Sequence, residues 1–237
     1  LDVLVEVDVG GGRCGASPGF AAAALALAVH DAPGLRLAGL QAYDGGAQHV
    51  YGWQARRDRI AAAAARLSET LIAMEGKGLV PDIVGGAGTG SHRLEAAAGL
   101  WTELQCGSYI FMDVDYAGVL DETDRPLSDH YEHALFVLTE VMSTARRGQA
   151  VCDAGLKAIA MDSGPPENAT ARRHAYLGAS DEHGVLEDPR NVLRVGDRMR
   201  LIPGHVDPTC NLHDWFVGLR DGRVETLWPI TARGKGF

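Results

Sequence analysis

The first half of this chain repeats one grammar about four times: an apolar run, a glycine-rich loop, then an alanine-rich stretch. LDVLVEVDV opens it at Leu1 and GGGRCGASPG follows; LRLAGLQAYDGG begins at Leu35, PDIVGGAGTGSH at Pro81 and TELQCGSYIFMDVDY at Thr102. Phe20–Val29, Arg56–Lys77 and Leu94–Trp101 lie between these runs with helical spacing. Apolar runs without polar alternation read as strands buried on both faces, as in parallel sheets. Alternation of strand and helix implies a parallel sheet with crossover helices. Four such units make either an open doubly wound sheet or half of a (β/α)8 barrel. In both, ligands bind beyond the carboxyl ends of the strands, where these glycines and polar residues cluster.

From about Gly118 the pattern changes to short segments separated by turn clusters, such as GLKAIAMDSGPPENAT and VGDRMRLIPGHVDPT. Arg220-Asp221-Gly222-Arg223 between two apolar runs signals a hairpin, and Asp129–Arg147 reads as mixed helix and strand. The expected fold class is therefore α/β, with βα units over 1–117 and an antiparallel β domain over 118–237. A hydrophobic share of 46% in 237 residues is enough for a real core. A net charge of −9 argues against nucleic acid or an anionic membrane as the main partner. No apolar run approaches the roughly 18 residues of a membrane span. Cys14, Cys106, Cys152 and Cys210 are far apart, which fits a reducing, cytoplasmic setting better than a disulfide scaffold or a zinc knuckle. The chain opens on LDVLVEVDV without Met or a charged leader, so it is expected to begin partway into a longer polypeptide or after processing.

Several residues carry candidate chemistry. In PGHVDPTCNL, His205 and Asp207 are two apart; on a strand such residues share a face. An imidazole and a carboxylate would then converge, as half of a metal site or as a structural hydrogen-bonded pair. GGAGTGSH (residues 85–92) follows a strand and precedes a helix. Its backbone amides can face an anion, with the hydroxyls of Thr89 and Ser91 close by, or it is a flexible turn. It lacks the spacing of the common nucleotide loops. Arg13, on the loop after the first run, is a surface cation or one aimed into the crevice at a phenolate, carboxylate or phosphate. Tyr43 either stacks on a flat ligand or sits in the core. His49, six residues on, is an acid–base candidate. LQCGSY (residues 104–109) offers amides and a hydroxyl that would complete an anion site. Glu182 and His183 form a solvated turn or a second-rank site.

Taken in order, VEVDVGGGRCG, LQAYDG, GGAGTGSH, LQCGSYIFMD, SDEHG and PGHVDPTCNL resemble the D-threonine aldolase and D-serine dehydratase-like family, the fold-type III pyridoxal 5'-phosphate (PLP) enzymes of alanine racemase architecture. The likeness runs from Val3 to about Trp215. It implies a PLP-binding TIM-like barrel, of which this chain would hold the second half, followed by a C-terminal antiparallel β domain. Carried over by motif, Arg13 would approach the phenolic oxygen of the cofactor and Tyr43 would lie against its ring. Gly88, Thr89 and Gly90, with Gly107, Ser108 and Tyr109, would hold its phosphate. Gln105 would face the pyridine nitrogen and, not being an acid, leave it unprotonated. His49 would stand near the substrate β-hydroxyl, and His205 and Asp207 would hold a divalent metal. Dehydratases of the family tend to carry His-x-Cys there and bind zinc. The carboxylate of Asp207 suits manganese, with magnesium, cobalt or zinc as alternatives, and so points to an aldolase.

The resemblance implies PLP- and metal-dependent retro-aldol cleavage of a D-β-hydroxy-α-amino acid to glycine and an aldehyde, in a homodimer. The family's Schiff-base lysine lies upstream of any motif here. This chain has only Lys77, Lys157 and Lys235. The lysine is therefore expected on a missing N-terminal barrel segment, with Lys157 as the substitute. Half a barrel alone would leave two sheet edges and an open core. Rival readings are a dehydratase of D-serine or D-3-hydroxyaspartate, a catalytically incomplete fragment or non-catalytic PLP-binding subunit, and a phosphate-binding metal hydrolase. The last needs more strand-end ligands than the sequence offers.

Overall fold

The computed structural model describes residues 1–170 and 173–235. They form two compact units, Leu1–Tyr109 with Gly118–His130, and Ile110–Ala117 with the chain from Tyr131 on.

In the first unit β1 (Asp2–Glu6), β2 (Arg36–Gln41), β3 (Ile83–Gly86) and β4 (Glu103–Leu104) pair in parallel, in that order. The crossovers are helices α1 (Phe20–Asp31), α2 (Trp53–Glu75) and α3 (His92–Ala98). These are the βα units expected from the sequence. Helix α2 buries Ile60, Ala63, Leu67, Thr70 and Met74, a spacing of three and four that marks one helical face. Ala63, Leu67 and Met74 of that face join Val5, Val7, Leu40, Val84 and Trp101 in one core, with Ala22, Ala23 and Ala26 of α1 completely buried, while Ile60 packs with Ala47 and Leu94. Small residues there let α1 approach the sheet closely. Neighbouring strands also approach closely at Gly39, which pairs with Ile83; a Cβ on Gly39 would overlap the Ile83 carbonyl.

Residues 118–130 are tied to α2 by the buried guanidinium of Arg56, which donates to the carbonyls of Val50, Tyr51 and Leu120. The segment closes on the buried Asp121, whose carboxylate accepts from His130 Nε2 (2.7 Å), Thr123 Oγ1 and the amides of Thr123 and Arg125. Those donors, His130 first, hold the Asp121 carboxyl well below the usual carboxylate range.

The second unit is built on a six-stranded sheet of β5 (Val137–Ser143), β6 (Gly148–Cys152), β7 (Glu167–Asn168), β8 (Tyr176–Ala179), β9 (Gly184–Asp188) and β10 (Arg198–Ile202). Its order is β7-β10-β5-β6-β9-β8 and every pairing is antiparallel. The antiparallel domain is thus as expected, but Asp129–Arg147 contains no α-helix. Val137, Thr139 and Val141 alternate inward with period two, so β-branched residues on one buried face select the strand β5. A one-turn helix, α4 (Val114–Ala117), a six-residue helix, α5 (Val206–Asn211), and the hairpin β11 (Trp215–Arg220) with β12 (Arg223–Pro229) complete the unit. Arg220 pairs with Arg223 across Asp221 and Gly222, both at positive φ (50° and 74°), the hairpin turn expected for this sequence. No helix among the described residues is long and apolar enough to cross a membrane.

Candidate functional site

In the first unit, four loops leave the carboxyl ends of β1 to β4, and every candidate residue of that half lies on them. After β1 the chain doubles back: Ala16 donates to the Glu6 carbonyl and Asp8 to the Ala16 carbonyl. Gly15 makes the return possible, with φ at 105° and only 2.6 Å between its Cβ position and the Asp8 nitrogen. Arg13 sits exposed on this loop. The Asp8 carboxylate accepts the amides of Gly10 and Gly12, and two arginines of α2 grip the loop from the other side. Arg66 donates to the Val9 carbonyl at 2.8 Å. Arg59 reaches the Gly10 carbonyl and binds the buried Asp44 through two bonds of 2.6 and 2.7 Å. Asp44 is the residue after Tyr43, so one ion pair anchors the loops that carry Arg13 and Tyr43. The Tyr43 ring is half-buried, its edge against Gly45. His49 ends the short 3-10 turn Gly45–His49 and is exposed.

The loops after β3 and β4 are joined. Tyr109 donates its amide to Thr89 Oγ1 at 3.0 Å, with Thr89 and Ser108 both buried. Gly107 faces open space. The Gly90 amide turns inward to Gln48 Oε1 (2.9 Å), and Gln48 Nε2 donates to Ser91 Oγ (2.7 Å). Ser91 in turn donates to Glu95 Oε1 at 2.8 Å. The two glycine-lined loops are thus bonded to each other and supported from beneath, with the Gly88 amide also held, by Ser91 Oγ at 3.4 Å; their composition is of the kind that takes a phosphate group. Gln105 forms a reciprocal amide pair with Gln41, at 2.8 and 3.0 Å. They meet over Gly85, where a Cβ would stand 2.9 Å from Gln105 Nε2. Gln105 Nε2 also donates to Glu103 Oε1 at 3.3 Å, so a carboxylate stands beside the amide pair.

In the second unit, His205 and Asp207 do not lie on a strand. His205 is the N-cap of α5 and Asp207 lies in its first turn, with Pro208 directly after it, where a missing N–H costs nothing. The pair still converges: Nε2 of His205 is 3.7 Å from Oδ2 of Asp207. On its other side, Nδ1 of His205 bonds Asp162 at 2.6 Å. The carboxylates of Asp207 and then Asp162 push the imidazole up to about 9, although the shorter contact is the one to Asp162. With Nδ1 engaged by Asp162, Nε2 is the ring nitrogen turned toward Asp207, and loss of its proton would free it for a metal. Burial pushes the neighbouring Cys210 thiol up to about 11. The imidazole of His205 beside the carboxylate of Asp207 is a pair of groups of the kind that suits a divalent cation. No group of three or more His, Cys, Asp and Glu residues able to hold a metal occurs among the described residues. Asp113 fixes the start of α5 by accepting the Val206 amide at 2.8 Å.

Glu182 and His183 are exposed, and Glu182 pairs with Lys157. Lys77 follows α2 at the amino end of β3, stacked over Phe20. The cysteines are free. The sequence reading missed Gln41, Asp44, Gln48, Arg59, Arg66, Glu95 and Asp162. Arg56, Arg59 and Arg66, spaced by three and seven in an alanine-rich helix, were the available signal for the first-unit supports. Nothing local to Asp162 marks it.

Residues 1–115 match the family described as alanine racemase, N-terminal domain, and residues 134–219 the putative serine dehydratase domain. The chain is 48% identical over 238 residues to 3-hydroxy-D-aspartate aldolase of Paracoccus denitrificans (strain Pd 1222), covering 100% of this chain and 62% of that protein. It is 45% identical to D-threonine aldolase of an Arthrobacter species, covering 99% and 61%. The crystal structure of D-threonine aldolase from Filomicrobium marinum superposes with a TM-score of 0.94 at 46% identity, over 100% of this chain and 64% of that one. The chain therefore spans a little over three fifths of the length of these relatives.

Proposed function

The chain belongs to the D-threonine aldolase and D-serine dehydratase-like family and has the alanine racemase-like fold, a partial barrel followed by antiparallel β-sheets; on that premise we propose that it serves retro-aldol cleavage of a D-β-hydroxy-α-amino acid to glycine and an aldehyde. When bound, PLP supplies a sink for the electrons of the broken Cα–Cβ bond, and a divalent cation such as manganese supplies a Lewis acid for the β-oxygen. Arg13 would pair with the phenolate of the cofactor and Tyr43 would lie against its ring. Gly88, Thr89, Gly90, Gly107, Ser108 and Tyr109 enclose its phosphate. Gln105, held by Gln41, would face the ring nitrogen with an amide in place of an acid. His49 takes the proton of the substrate β-hydroxyl. His205 and Asp207 hold the cation, and the observation that carries the aldolase reading is this pair. A carboxylate and not a thiolate stands beside the histidine.

The amine that holds the cofactor covalently is supplied by polypeptide outside these 237 residues, in an assembly built as a homodimer. Lys157 is engaged by Glu182, and Lys77 lies at the opposite end of the sheet from the four loops, which supports this reading. The test is product analysis after borohydride trapping. Glycine plus an aldehyde, with the PLP adduct on polypeptide other than this 25.2 kDa chain, is the expected result. Ammonia plus a keto acid would identify a dehydratase and refute the aldolase reading; an adduct on Lys157 would refute the assignment of the amine.

Asp162 is expected to act on the metal through His205. Asp162→Ala should weaken divalent-cation binding by roughly 10- to 100-fold in a direct titration, because the imidazole loses the partner that orients its ring and fixes its tautomer. Unchanged affinity would show that the Asp162 contact is incidental.

A further inference from the structure

Behind the Gly88–Gly90 turn runs a chain of buried hydrogen bonds whose directions are fixed from one end. A backbone N–H only donates, so the amide of Gly90 fixes Gln48 with Oε1 towards it, at 2.9 Å. Gln48 Nε2 must then donate, to Ser91 Oγ at 2.7 Å and to the Asp44 carbonyl at 3.3 Å. Ser91 accepts that bond, and its single hydrogen goes to Glu95 Oε1 at 2.8 Å. Glu95 is the terminal acceptor of the chain. It is 1% exposed and its second oxygen, Oε2, has no hydrogen-bond partner. A buried carboxyl with one orphaned oxygen is costly, and burial raises its proton affinity above the usual carboxylate range. The turn also rests directly on Gln48. A Cβ on Gly88 would meet Gln48 Oε1 at 2.5 Å, and one on Gly90 would meet the Gln48 carbonyl at 2.8 Å.

We propose that Glu95 and Gln48, joined through Ser91, are positioning residues that shape the Gly88–Gly90 turn for a phosphate monoester. The proposal rests on the reading of this turn as the phosphate loop. Neither residue touches the ligand. Glu95 orders Ser91, Ser91 orders Gln48 and accepts the Gly88 amide at 3.4 Å, and Gln48 draws the Gly90 amide inward, so the two glycine amides of the turn are held from behind.

The test compares dissociation constants of PLP and of pyridoxal, which lacks the phosphate, on the purified protein, with inorganic phosphate as competitor. Glu95→Ala and Gln48→Met should each weaken PLP roughly tenfold and leave pyridoxal unchanged, while Glu95→Gln, which keeps an oxygen acceptor for Ser91, should stay within about threefold of the parent. Equal loss for both ligands, or no loss for PLP, would overturn the positioning role. If Glu95→Ala does not fold, Gln48→Met carries the same comparison. The phosphate-loop reading fails separately, in the parent protein: pyridoxal would then bind as tightly as PLP and inorganic phosphate would not compete.

Discussion

Replacing Asp207 with alanine is expected to abolish metal-dependent turnover while PLP stays bound. In the proposed metal site Asp207 is the carboxylate beside Nε2 of His205, and the other carboxylate on that imidazole, Asp162, is engaged with Nδ1. With the carboxylate gone, a single imidazole remains, and the loss of cation affinity should exceed the roughly 100-fold upper range seen for the loss of an outer-shell partner. The residues assigned to the cofactor lie in the other compact unit, so PLP absorbance should survive. Cation titration and turnover of the variant, each with and without added manganese, check both halves of the expectation. Full activity would sink the assignment of the metal pair.

The second large effect is on stability. Gly39→Ala should destabilise the protein by about 3 kcal/mol, the upper range for forcing an atom into a packed core. The added Cβ has nowhere to go, because it would overlap the backbone carbonyl of Ile83 on the paired strand and not a side chain that can swing aside. For a chain of this size the melting temperature should fall by roughly 6–12 °C. A melting curve identical to the parent's would mean that β2 and β3 do not pair in this register. The consequence reaches the site, since β2 delivers Tyr43 and β3 delivers the Gly88–Gly90 turn.

The contrast between these two residues shows what a sequence reading can reach. His205 and Asp207 were legible as a converging pair, yet the route to convergence was different: a cap and a first helical turn in place of a strand face. Two residues apart, both geometries bring the side chains together, so spacing alone could not choose between them. The supports were a different matter. Asp162 is 43 residues from the histidine it orients, and Gln48 is 43 residues from the serine it holds. Hydrogen bonds between such distant positions leave no periodicity in the chain.

By itself, the sequence determined the four parallel strands with their three crossover helices, the antiparallel second half, the Asp221–Gly222 hairpin and the strand-end loops that carry Arg13, Tyr43, Thr89 and Gln105. These follow from local rules: buried strands read as apolar runs, helices as one apolar face, turns as glycine and aspartate. Only the tertiary structure decided that Arg59 and Asp44 lock two loops together, and that Glu95 lies buried with one oxygen alone. Those outcomes depend on which distant groups compete for the same buried donors and acceptors, a balance set only once the strands and helices have packed.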